Sequence, residues 1–110
     1  MEEFIKGDVV VLPFPFSDLS ASRKRPALVA AALKGDDVIL CQITSEARID
    51  DYSIVLANKD FKKGKLPVTS IIRPNRLFTA DKSIIKYKAG SLNKKKIKEV
   101  EEVIVKIFKR

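Results

Sequence analysis

Pro26-Ala27-Leu28-Val29-Ala30-Ala31-Ala32-Leu33, Lys34-Gly35-Asp36-Asp37 and Val38-Ile39-Leu40-Cys41-Gln42-Ile43 form the stretch whose reading decides the architecture. Two apolar runs flank a Gly/Asp turn, the pattern of two buried strands folded back as a hairpin. Upstream, Val9-Val10-Val11-Leu12 is a short β-branched strand that Pro13 and Pro15 stop. Phe14 and Phe16 alternate on the extended segment that follows, so one is expected in the core and the other at its rim, and Ser17 to Ser22 is loop chemistry. Downstream, Tyr52–Leu56 and Val68–Ile72 are further short strands. Strands of about five or six residues separated by frequent turns predict a mainly β chain, a small barrel and not a βαβ sheet.

The end of the chain reads differently. Asn93 can cap a helix in which Ile97, Val100, Ile104, Ile107 and Phe108 recur at helical spacing, with Val103 widening the stripe and Val105 adding apolar surface beyond it. Lys94-Lys95-Lys96 occupies the first turn, where cations oppose the helix dipole. Asp81–Ile85 suggests a helical turn. The 110 residues suit one domain, with a barrel over about 5–80 and a helix over about 93–109.

Composition narrows the function. There is no histidine, which removes imidazole chemistry and the usual His-containing metal sites. The lone Cys41 permits no intramolecular disulfide, as suits a reducing compartment, and the longest apolar run, Ala27–Leu33, is far too short for a membrane span. Nothing at the N-terminus resembles a signal peptide, so a soluble cytoplasmic domain is expected. The net charge is +8, and residues 82–110 carry nearly all of it, with 10 Lys+Arg against 3 Asp+Glu. Such an excess points to an anionic partner, or simply to a solvated helix face.

Three segments stand out as chemistry. Arg23-Lys24-Arg25-Pro26 sets three cations before a buried strand, and Pro26 holds Arg25 in an extended backbone suited to a bidentate phosphate clamp. Gln42-Ile43-Thr44-Ser45 ends the antiparallel neighbour, so the hydroxyls of Thr44 and Ser45 belong on the same rim as Arg25, where they either cap the chain or bind a phosphate or ribose. Ile71-Ile72-Arg73-Pro74-Asn75-Arg76-Leu77-Phe78-Thr79 repeats the strand–arginine–proline pattern, with Arg73 expected to leave a strand as Arg25 enters one.

These segments, together with Lys6-Gly7-Asp8-Val9-Val10, Pro13-Phe14-Pro15-Phe16-Ser17-Asp18, Arg25-Pro26-Ala27-Leu28-Val29 and Gly90-Ser91-Leu92, resemble in order and spacing the MazF/PemK-like toxins of prokaryotic toxin–antitoxin modules. The resemblance spans about residues 5–109. It implies an SH3-like barrel with a C-terminal helix, a homodimer, and cleavage of single-stranded RNA with no metal or other cofactor, held in check by an acidic antitoxin protein. Arg25 matches the family's catalytic arginine and Thr44 its catalytic threonine. Arg73 and Asn75 match a pair at the site's edge. The neighbouring Phe16, Asp18, Lys24, Ser45 and Arg76 are expected to contact RNA. Asn75 departs from the many relatives with an aspartate there, since an amide cannot take a proton. The arginine that the family carries a few residues later is absent too, with Leu77 and Phe78 in that stretch. Asp18 is the nearest carboxylate in a motif, as a base or as an Asx turn closing Phe16 to Leu19. An RNA-binding or antitoxin-binding barrel that has lost its catalysis is the other reading of the same residues.

Overall fold

Gly35 turns the central hairpin with a φ of +83°, a left-handed conformation that glycine adopts without strain, and Leu33 N–H closes the turn on the Asp37 carbonyl at 3.0 Å. The computed structural model describes residues 3–14, 23–46 and 50–110. Among the described residues seven strands run β1 (Asp8–Pro13), β2 (Lys24–Ala32), β3 (Asp37–Thr44), β4 (Ile54–Leu56), β5 (Phe61–Gly64), β6 (Ser70–Asp81) and β7 (Tyr87–Leu92), followed by one helix, α1 (Lys94–Phe108). Short 3₁₀ turns occupy Asn58–Asp60 and Lys82–Ile84, the latter within the segment expected to form a helical turn. The strands pair antiparallel in the order β4-β6-β3-β2-β1-β7-β5, a single curled sheet.

Alternation of side chains across the sheet creates two cores. Val9, Leu28, Cys41, Ile43 and Ile72 point to one face, where Val100 of α1 is buried against them and Ile97, Val103 and Ile104 pack alongside. Val10, Leu12, Ala27, Val29 and Leu40 fill the other face with Phe14, whose ring meets Phe78 edge-on at 5.3 Å between centroids. Phe14 is thus the core member of the alternating pair, while Phe16 lies outside the described residues.

Helix α1 is fixed at its start by devices that the sequence only hinted at. Asn93 Oδ1 accepts from Lys96 N–H at 2.9 Å, the expected cap. Of the three lysines that oppose the dipole, Lys96 is put to structural use. Its Nζ donates to the Val55 carbonyl at 3.1 Å and lies 3.7 Å from the buried Asp60 and 2.9 Å from Glu99. Gly7, with a φ of +98°, passes directly beneath Ile97, so a side chain there would collide with the helix and cost about 1–2 kcal/mol in backbone conformation besides. The adjoining Asp8 is buried, accepts from Ile5 N–H at 2.9 Å and pairs with Lys88 at 3.4 Å. With Lys6 Nζ 2.7 Å from Glu101, Lys6-Gly7 is therefore a docking device for the helix, and Asp8 braces it from β7.

Several expected elements change shape. The sheet continues to Leu92, past residue 80, because β7 joins it beside β1. The strand expected over Tyr52–Leu56 shortens to Ile54–Leu56, since Tyr52 N–H and Ser53 N–H both turn back to Asp50 Oδ1 at 2.9 and 2.8 Å. The strand expected to end at Ile72 runs on to Asp81. Arg73 consequently sits inside a strand and does not leave one. Gln42 pairs with Arg73 but Cys41 pairs with Leu77, so Pro74, Asn75 and Arg76 form a bulge on β6. A bulge is where a strand tolerates proline, which has no N–H for the ladder. Phe108 leaves the helical stripe and is 75% exposed.

Candidate active site

Arg25 sits at the second position of β2, directly across from Leu12 of β1. On the other side, β2 pairs with β3 through Ala27 and Gln42, so two residues further along each strand Arg25 comes abreast of Thr44. Both line an open groove of about 360 Å³ at this end of the sheet. Arg23, Lys24 and Arg25 give the groove a cationic rim, Thr44, Ser45 and Ser70 contribute hydroxyls, and Val11, Pro26, Ile43 and Leu66 are among its apolar lining.

The two central side chains are only partly engaged. The Nε of Arg25 is buried and finds no hydrogen-bond partner among the described residues. A buried donor left unmatched costs about 1–3 kcal/mol, which an anion accepting from it would recover. Thr44 is 7% exposed, and its Oγ1 accepts from Glu46 N–H at 3.1 Å. That bond uses one lone pair and leaves the hydroxyl proton to donate. Ser70 is spent locally, donating to the Val68 carbonyl at 3.0 Å.

Arg73 stands apart. It is 9% exposed, opposite Gln42, and its Nη2 lies 3.7 Å from Asp50 Oδ2, while its buried Nε finds no hydrogen-bond partner among the described residues. Hydrogen bonds from Tyr52 N–H and from the Ser53 hydroxyl and amide hold the Asp50 carboxyl below the usual carboxylate range, with the Arg73 charge adding to them. Such a carboxylate is a poor base. Its work is to fix the turn before β4 and to face Arg73. Asn75 and Arg76 are exposed on the β6 bulge, and neither they nor Arg73 line the groove. Lys24 and Ser45 do line it. Asp18, like Phe16, lies outside the described residues.

Cys41 is no nucleophile. Its thiol donates to the Arg73 carbonyl at 3.1 Å, and burial pushes its pKa up to about 12. Among the described residues no three His, Cys, Asp or Glu side chains converge as a metal site, and no helix is long and apolar enough to cross a membrane. Three groove residues escape a reading of the sequence alone. Leu66 and Ser70 flank the start of β6, and Tyr87 opens β7, so all three reach the groove through pairings distant in sequence.

Residues 5–108 fit the family described as PemK-like, MazF-like toxin of type II toxin–antitoxin system. The chain belongs to this family. Among solved structures it is similar to MazF from Deinococcus radiodurans, at 18% identity and a TM-score of 0.77 over 100% of both chains. It is also similar to an endoribonuclease in complex with its cognate antitoxin from a mycobacterial species, at 13% identity and a TM-score of 0.77 over 96% of this chain and 95% of that one. The Mycobacterium tuberculosis toxin MazF-mt6 is similar as well, at 15% identity and a TM-score of 0.72 over 93% and 96%. At these identities the likeness is one of fold, and it extends to the curled sheet with its C-terminal helix. No curated protein matches the chain in sequence.

Within this PemK-like, MazF-like frame, the conformational signatures separate by purpose. Lys6-Gly7 docks the helix through Glu101 and Ile97 and Asp8 ties β1 to Lys88 of β7, whereas Lys24-Arg25-Pro26 and Thr44-Ser45 line the open groove.

Proposed function

We propose that this chain is a toxin that cleaves single-stranded RNA endonucleolytically by attack of the RNA's own 2′-OH, without a metal. The observation that carries the reading is the meeting of Arg25, with its unmatched buried Nε, and Thr44 in a cation-rimmed groove. In this scheme the 2′-oxygen attacks the adjacent phosphorus and the P–O5′ bond breaks. The 2′ proton is lost, the 5′-oxygen gains one, and a 2′,3′-cyclic phosphate and a 5′-hydroxyl result. Arg25 neutralises charge developing on the phosphorane, a task suited to a guanidinium that stays protonated and matches two phosphate oxygens. Thr44 orients the 2′-OH, since an unassisted hydroxyl is too weak a base at neutral pH to remove its proton. Lys24 and Ser45 hold flanking phosphates, and Arg73 with its Asp50 partner stiffens β6 behind them. Asn75 and Arg76, on the bulge, meet the RNA strand outside the groove, while Phe16 and Asp18 lie outside the described residues.

The mycobacterial endoribonuclease with its cognate antitoxin supports the extension to an acidic antitoxin that competes with RNA for the groove. We further assign a single cytoplasmic domain and a two-fold homodimer, for which Val105 and Phe108, exposed on α1, supply apolar surface. The test is incubation with mixed-sequence RNA in EDTA and mapping of the ends. Cleavage should persist in chelator, leave the two termini named above and stop at a 2′-deoxy substitution, because DNA lacks the nucleophile. Cutting of the deoxy substrate would make an external water the nucleophile and overturn the scheme. RNA bound but uncut in chelator would make the chain a binding module instead, the role that the Asn75 amide favours.

A further inference from the structure

The groove holds an aromatic side chain that the cleavage scheme does not use. Tyr87 opens β7, lies opposite Val11 of β1 and is 54% exposed, although it lines the same groove as Arg25 and Thr44. Val11 pairs in turn with Pro26, so Tyr87, Val11 and Pro26 form a row across three neighbouring strands, with Arg25 the next residue after Pro26 toward the strand's start. Directly opposed residues project to one face, and two interstrand steps separate Tyr87 from Pro26 by about 10 Å. A half-exposed ring beside an apolar floor and one or two side chains from a phosphate-seeking arginine is a costly use of a tyrosine unless something flat covers it. The described residues assign no hydrogen bond to its hydroxyl. The occupant that satisfies both halves of the groove is a nucleotide. Its phosphate meets the Arg23-Lys24-Arg25 rim, and its base has a π-face to lay on the ring.

We propose that Tyr87 is a stacking platform for a nucleobase next to the scissile phosphate, and so positions single-stranded RNA for the proposed cleavage. The inference rests on that functional reading, but it concerns binding and can be tested without turnover. The chain has two tyrosines and no tryptophan, so in a Tyr52→Phe background Tyr87 is the sole strong intrinsic fluorophore. The probe is a mixed-sequence 2′-O-methyl RNA, which cannot be cleaved, titrated in EDTA. Emission of Tyr87 should be quenched saturably. Tyr87→Ala should weaken binding about 5- to 100-fold, the range expected for loss of one base–aromatic stack. Tyr87→Phe should restore it and Tyr87→Leu, apolar but without a π-face, should not. The Ala variant should leave the salt dependence of binding unchanged, whereas Lys24→Ala should reduce its slope by about 0.7, one phosphate contact on a single strand. Binding of the probe without quenching, or with wild-type affinity in Tyr87→Ala, would overturn the assignment, as would no binding at all. Quenching by an acidic peptide but not by RNA would overturn it too, making the ring part of a protein interface. Quenching by the probe in a chain that fails to cut unmodified RNA would sustain the stacking role while the nuclease reading fell.

Discussion

Arg25-Pro26 and Arg73-Pro74 are the same dipeptide in two regions of one sheet, and they end in opposite circumstances. Arg25 stands at the second residue of β2 and lines the open groove, and among the described residues no ion pair engages it. Arg73 lies within β6, 9% exposed, its guanidinium turned toward Asp50 and its proline absorbed by a bulge. The difference is made by the neighbours. The β2–β3 ladder stops at Ala27, short of Arg25, whereas Arg73 pairs with Gln42 and the β3–β6 ladder resumes at Leu77. A charge at a strand end is free to meet a ligand, and a charge inside a strand has to be answered by the protein. One arginine is therefore read as working on substrate and the other on the scaffold.

The largest effect that separates them is on rate. Arg25→Ala should lower cleavage by about 10²–10³, the usual loss when one contact to developing charge is removed. Its stability should be unchanged or slightly higher, because an unmatched buried donor disappears with the side chain. Urea denaturation alongside initial rates in EDTA checks both halves. Wild-type turnover by the folded variant would remove Arg25 from the chemistry.

Arg73→Ala should show the reverse pattern. It deletes a buried aliphatic stem and the partner of Asp50, a change expected to cost about 1–3 kcal/mol. Cleavage by the folded protein should fall far less than in Arg25→Ala. A rate loss equal to that of the Arg25 variant, with no loss of stability, would put Arg73 on the substrate and dissolve the contrast.

Much of this contrast was legible in the sequence, but only where contacts are local. The β2–β3 hairpin is closed by one glycine turn, which brings Arg25 to the Thr44-Ser45 end of β3 without knowledge of the rest, and a bulge at Ala30 then sets it abreast of Thr44. The cap at Asn93 and the stripe through Val100 are equally local. The fate of Arg73 was not, because its strand survives Pro74 only by bulging against β3, some thirty residues earlier in the chain. Tyr87-Lys88-Ala89-Gly90-Ser91-Leu92 and Phe61-Lys62-Lys63-Gly64 carry too little apolar alternation to read as strands. They become strands because β7 finds β1 and β5 finds β7, close enough that Gly64 and Gly90 lie backbone to backbone. The resemblance to the toxin family supplied residue roles, but not the Asp50 carboxylate that faces Arg73.

Acid should touch the two regions unequally. The Asp50 carboxyl is held below its ordinary value in the fold, first by Tyr52 N–H, so it binds its proton more weakly folded than unfolded. The stability this contributes is complete above the unfolded pKa of about 3.9 and is lost as pH falls through the lower folded value. Asp50→Asn should flatten the stability profile below about pH 4 and leave it unchanged near neutrality, apart from a constant offset. No comparable dependence should appear in Arg25→Ala. Denaturation midpoints from pH 7 down to the acid limit separate the cases, and an unaltered acid limb in Asp50→Asn would mean that the turn before β4 does not carry the linkage.

The smallest expected effect tests the bulge itself. Asn75 is exposed, lies among the three residues that the β6 ladder skips, and does not line the groove holding Arg25 and Thr44. Asn75→Asp restores the carboxylate that many family members carry at the matching position. If catalysis is confined to the groove, the new acid can act on the reacting atoms only through its charge, at a distance where salt screens it over about 8–10 Å. Cleavage should then stay within a few-fold of the parent at moderate salt, with RNA affinity slightly reduced because an anion has joined a surface that meets phosphates. A large rise in kcat with a new acidic limb in its pH profile would have a different meaning. A carboxylate at 75 would then serve as a base, the bulge would reach the scissile nucleotide, and the division between a working Arg25 end and a structural Arg73 end would have to be redrawn two residues past Arg73.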